Sequence, residues 1–189
     1  MNFERTKEFI LNKLEKELPS HLTYHNTTHI LDVFEATIRY AELQNINPND
    51  TLLLKTASLF HDSGFIVQAE NHEQISCDIA QQYLPDFGYS QQQIDTIKGM
   101  IMATKIPQTP LNHLEQIMAD ADLDYLGRDD FQVISDRLFQ ELEIPDKNKW
   151  NKIQIAFFEK HSYFTESAKR LRNDKKQENL AKIKAQTQF

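Results

Sequence analysis

The residues of this chain best suited to chemistry are His29, the adjacent pair His61-Asp62, and the carboxylates of Asp120-Ala121-Asp122. A helix turns about 100° per residue, so spacing decides which of them face a core. His29 shares a stripe with Val33, Ala36, Tyr40 and Leu43. His61 falls seven residues after Leu54 and four after Ala57, which points it inward, and Asp62 lies one step around, beside Ser58 and Leu59. Asp122 lines up with Leu114, Met118 and Tyr125, whereas Asp120 lines up with Gln116 and Asp124, so the register selects Asp122 as the inward carboxylate. A buried, unpaired carboxylate is costly and takes up a proton unless a cation compensates it. Two neutral imidazoles and two carboxylates suit a divalent metal and leave coordination positions for water. Each residue alone has an ordinary explanation: a lone helical histidine is usually solvated or hydrogen-bonded, and an Asp near a helix end can simply answer the helix dipole. The reading rests on four inward groups on three helices.

The elements that must position them are helical. Apolar residues recur at three and four positions through most of the chain, and alternating strands bounded by turns are missing, which predicts an all-α domain. The expected helices cover about Phe3–Leu18, Thr27–Gln44, a third ending near His61–Gly64, then Asn71–Leu84, Ser90–Thr104, Asn112–Leu126, Asp129–Leu142 and one from Pro145 through Phe164. A hydrophobic fraction of 40% and a charged fraction of 26% over 189 residues belong to a globular chain with one core. Four scattered glycines exclude a glycine-rich phosphate loop, and a single cysteine, Cys77, excludes internal disulfides and cysteine-held zinc or iron–sulfur clusters. Histidine and carboxylate must then hold any metal. No apolar run approaches the roughly 18 residues of a membrane span, and the start Met1-Asn2-Phe3-Glu4-Arg5 has no signal-peptide core, so a cytoplasmic location without membrane association is expected. A net charge of −7 argues against a nucleic-acid duplex as partner and is compatible with a small phosphorylated molecule. From Glu166 to Phe189 seven Lys/Arg and three Asp/Glu give +4, leaving −11 for residues 1–165. Residues 166–189 are therefore expected as a basic, partly frayed helical tail on a 1–165 domain, with only Ala168, Leu171, Leu180 and Ile183 to dock it.

The order His29, then His61-Asp62 within Ala57-Ser58-Leu59-Phe60-His61-Asp62-Ser63-Gly64-Phe65, then Asp122 within Ala119–Asp124, resembles the HD superfamily of metal-dependent phosphohydrolases across about residues 20–130. Tyr24–His29 and Glu70-Asn71-His72-Glu73 fit the same pattern. The resemblance implies a helical bundle with one divalent cation (Mn, Fe, Co, Ni, Zn or Mg) at its centre on His29, His61, Asp62 and Asp122, acting on a nucleotide, cyclic nucleotide or other small phosphate ester. Members with two metals carry additional histidines between the pair and the last Asp; here His72 and His113 alone are available, His113 reads as solvated, and a single-metal site is expected. His72, Glu73 or Glu70 can position the attacking water, and the same cluster can equally cap the fourth helix. Candidates for the substrate phosphate are His25, Lys105 and Arg128, although basic residues at helix ends also serve the dipole. Phe157, Phe158, Tyr163 and Phe164 around His161 read as core rather than as a pocket wall. Rival readings are a binding or sensing module for a phosphorylated small molecule without turnover, and a partner-docking role for the basic tail.

Overall fold

A computed structural model describes residues 1–187. Among them there are nine α-helices and no strand: α1 Phe3–Glu17, α2 Thr27–Leu43, α3 Pro48–Phe60, α4 His72–Tyr83, α5 Gln91–Met102, α6 His113–Asp122, α7 Phe131–Glu141, α8 Lys147–Lys160 and α9 Glu166–Ala185. Short side chains start most of them. Asn26, Asn47, Asn112, Asp146 and Thr165 each accept from a backbone N–H of the first turn, and Ser90 with Gln93 forms a reciprocal capping box.

Two apolar clusters organise the helices. The larger gathers α1–α6 around Ile10, Leu14, Ile30, Tyr40, Leu54, Phe60, Ile97 and Met118. A smaller one joins Tyr24, Leu123, Tyr125 and Leu126 to Phe131 of α7, Ile155 and Phe158 of α8, and Leu180 and Ile183 of α9. The stretches bearing the candidate metal ligands lie along the seam between them.

Several expectations change at this level. Helix α6 stops at Asp122, and the chain tightens into a 3-10 turn over Asp124–Gly127 instead of continuing to Leu126. Leu43, expected on the inward stripe of α2, is exposed, as is Leu171. The basic tail is a docked helix through Ala185 that packs on α8 and on the 124–127 turn. Fraying at the extreme end concerns residues 188–189, which lie outside the described residues. Gly127 explains part of that docking: a Cβ there would stand 2.4 Å from the Arg172 carbonyl oxygen, so only glycine admits α9 this closely. No helix among the described residues is long and apolar enough to cross a membrane.

Candidate metal centre

His29 lies in the first turn of α2, His61 caps the C-terminal end of α3 with Asp62 following, and Asp122 ends α6. Their side chains converge. His29 Nε2 stands 3.4 Å from His61 Nε2, from Asp62 Oδ2 and from Asp122 Oδ1. His61 Nε2 stands 3.3 Å from Asp62 Oδ2 and 3.4 Å from Asp122 Oδ1. The ligand atoms of His29, His61 and Asp122 all lie within 4.8 Å of one another.

Two observations decide what such a cluster needs. His61 Nδ1 donates to the Ser58 carbonyl at 2.7 Å, which fixes the tautomer and turns the Nε2 lone pair toward the carboxylates. Asp62 Oδ2 is buried and has no hydrogen-bond partner despite two imidazole nitrogens at 3.3–3.4 Å. Neighbouring ligands on one cation about 2.1 Å away stand roughly 3.0–3.4 Å apart, so the donor set fits a divalent ion. Electrostatics agree. Burial alone would lower the His29 and His61 pKa, yet the Asp62 and Asp122 carboxylates hold both above the ordinary imidazole value. Burial likewise opposes ionisation of Asp62 and Asp122, and the imidazoles overcome it, keeping both carboxyls below their usual range.

The centre opens into a cleft of about 310 Å³. His72, at the start of α4, reaches it: its Nδ1 donates to the Ala69 carbonyl at 3.0 Å, and its Nε2 stands 3.4 Å from Asp62 Oδ1 and 3.6 Å from Glu73 Oε1. Close packing sets this position, since a Cβ on Gly64 would lie 2.0 Å from the His72 carbonyl oxygen, and Gly64 N donates to Ser76 Oγ at 2.8 Å. His25 stacks on Phe65 at 4.1 Å, Phe65 meets the His72 ring at 4.2 Å, and the His25 Nδ1 is paired with Glu141. Glu141 Oε2 also accepts from Tyr24 N at 2.6 Å and His25 N at 3.0 Å, tying α7 to the segment before α2.

The other candidates lie elsewhere. Glu70 is exposed and does not line the cleft. Lys105 also lies outside it, with Nζ 3.3 Å from Asn71 Oδ1. The Arg128 guanidinium is spent on Asp32 at 2.7 Å and on Asp130, and lines a separate pocket that includes Tyr24, Thr28 and His29. His113 is exposed at the start of α6. Asp120 corrects the register argument: it is fully buried, and its carboxylate accepts from Phe164 N at 2.7 Å, Thr165 N at 2.8 Å and Thr165 Oγ1 at 2.7 Å. Helix α6 is covered on two sides, so facing alone cannot separate a ligand from a satisfied anchor. Phe157 and Phe158 line the cleft, contrary to the purely core reading, while Tyr163 is buried. Sequence reasoning passed over Glu141 and Gln154, neither of which carries a local motif, and gave Phe65 no role although it ends the His61-Asp62 stretch.

A crystal structure described as a predicted HD superfamily hydrolase from an uncultured Thermotogales bacterium superposes with a TM-score of 0.65 at 18% identity, over 94% of this chain and 89% of that one. This chain has the HD-superfamily fold. A second structure with that similarity, Bacillus subtilis YpgQ in complex with ADP, gives a TM-score of 0.68 at 19% identity over 98% of this chain and 95% of that chain. No protein-family model and no curated protein matches the sequence. The HD fold accounts for the order of the converging residues: α2, the end of α3 and the end of α6 meet at one point of the bundle.

Proposed function

We propose that this chain is a metal-dependent phosphohydrolase that acts in the cytoplasm on a small phosphate ester, a nucleotide or cyclic nucleotide being the leading class. The observation that carries the reading is the partnerless Asp62 Oδ2, buried between two imidazole nitrogens and facing a cleft. One divalent cation held by His29, His61, Asp62 and Asp122 would polarise a phosphoryl oxygen and acidify a water beside it. His72 presents Nε2 to the cleft because Nδ1 is committed to Ala69, so Nε2 is where a proton is taken up or released, with Glu73 Oε1 beside it. His25, paired through Nδ1 with Glu141, lines the cleft where a phosphoryl group would sit and is the candidate to orient it. The ADP bound by YpgQ supports the nucleotide class.

The test is hydrolysis by purified protein of a generic phosphodiester and a panel of nucleoside mono-, di-, tri- and cyclic phosphates with each of the six metals. The account expects metal-dependent phosphate release that the double variant His61→Ala, Asp62→Ala abolishes. Ligand-induced thermal stabilisation without any product would instead identify a binding module.

A further inference from the structure

The cleft beside the metal centre is unusual in its walls. Among the described residues that line it there is no lysine or arginine, and much of the lining is apolar, with Leu123, Leu126, Leu138, Trp150, Phe157 and Phe158 beside the Tyr24 and Tyr125 rings. A polyphosphate brought here would meet apolar side chains with few cations to replace its water, which costs far more than it returns. A single phosphoryl group at the centre and a flat, weakly polar body against that wall fit the space.

Gln154 sets an amide among these apolar side chains. Gln154 is 6% exposed and lines the cleft. Its amide orientation is fixed by a relay: Trp150 Nε1 donates to Ser135 Oγ at 3.1 Å, and Ser135 Oγ donates to Gln154 Oε1 at 2.6 Å, the distance of an O–H···O bond. The indole N–H is donor only, so Ser135 Oγ accepts from Trp150 and gives its proton to Gln154 Oε1, which leaves the amide NH₂ of this cleft-lining residue as an uncommitted donor.

The geometry points to Gln154 as the residue that selects the substrate's organic group: a flat aromatic or heteroaromatic body bearing a carbonyl or ring-nitrogen acceptor, joined to a single phosphoryl group. This rests on the hydrolase reading for its chemistry and adds the class of substrate. A pre-oriented donor in an apolar wall discriminates strongly, since a ligand lacking the acceptor leaves the amide desolvated and unpaired.

The test compares two flat aryl monophosphates, 4-methylumbelliferyl phosphate, which carries a lactone carbonyl, and 1-naphthyl phosphate, which has no acceptor on its rings. The ratio of their kcat/KM values is measured in the wild type and in Gln154→Leu and Gln154→Glu, so that leaving-group differences cancel between proteins. The expected result is a fall of about tenfold in that ratio in both variants, together with faster turnover of thymidine 5′-monophosphate than of the triphosphate by the wild type. An unchanged ratio, or equal or better turnover of the triphosphate, overturns the inference. If the metal-loaded wild type turns over nothing, the hydrolase reading fails by itself. Thermal stabilisation by the same two compounds then decides this one: a preference for the umbelliferyl compound that the variants lose upholds Gln154, and equal stabilisation refutes it.

Discussion

At the scale of single residues, Asp62 and His61 carry the case for the proposed cation. The His61 lone pair is aimed inward by Ser58, and the nearest groups are two carboxylates that repel it unless a proton or a metal intervenes. Protons and metal therefore compete for the same nitrogens. Because His29 and His61 hold protons above the ordinary imidazole value when no metal is bound, apparent metal affinity falls as pH drops through neutrality. A titration with Mn between pH 8 and pH 6 is expected to show at least a tenfold loss; pH-independent binding would mean that the imidazoles are not ligands. Gly64 makes a separable prediction. A methyl group there collides with the His72 backbone, so Gly64→Ala is expected to displace α4 more than the four proposed metal ligands. Metal content should stay at the wild-type level with turnover reduced on the order of 10²-fold, the cost of misplacing His72 if it moves the proton as proposed. Lost metal content in a folded Gly64→Ala protein would contradict the division of labour.

At the scale of elements, Asp122 is held from both sides. Asp120 fastens α6 to the Phe164–Thr165 segment, and Asp124 accepts from Arg172 Nε at 2.7 Å and Nη2 at 2.9 Å while Tyr40 Oη donates to it at 2.5 Å. Arg172→Ala would leave the buried Asp124 short of its main counter-charge, and a destabilisation of about 3 kcal/mol is expected in urea unfolding. A change below 1 kcal/mol, roughly the value of a surface pair, would show that the clamp is slack. These anchors also mark the limit of what the sequence discloses. The meeting of His29, His61 and Asp122 is legible from apolar helical stripes and that of Asp62 from its place beside His61, although the same register misplaced Asp120, and the helices themselves are legible from period and capping residues. Asp120 has an equally buried place that no periodicity reveals, because its partners are backbone N–H groups 44 and 45 residues away. Glu141 meets His25 across 116 residues, and Gln154 owes its orientation to Ser135 and Trp150; pairings of this kind are set by how helices dock, and one chain read alone does not encode them locally.

At the scale of the whole molecule, the cleft exists because two apolar clusters meet along a seam, and α9 completes the smaller one. Leu180 and Ile183 are buried in it, Asn179 donates to the Leu126 and Arg128 carbonyls at 3.0 and 2.9 Å, and Lys176 is buried against the His161 carbonyl. A chain ending at residue 165 would expose that face and free the turn next to Asp122. Such a truncation is expected to be insoluble or to bind metal more weakly than the full chain; a stable, fully metal-loaded 1–165 fragment would restore the tail to the status of an appendage. The central claim, that four side chains surround one divalent cation, is tested most directly by elemental analysis of the purified 189-residue chain beside Asp62→Asn and His61→Ala. The account predicts about one equivalent of metal in the wild type and near none in either variant, with helical circular dichroism retained. A folded wild type that takes up no divalent ion from any of the six metals, or variants that keep a full equivalent, would contradict it.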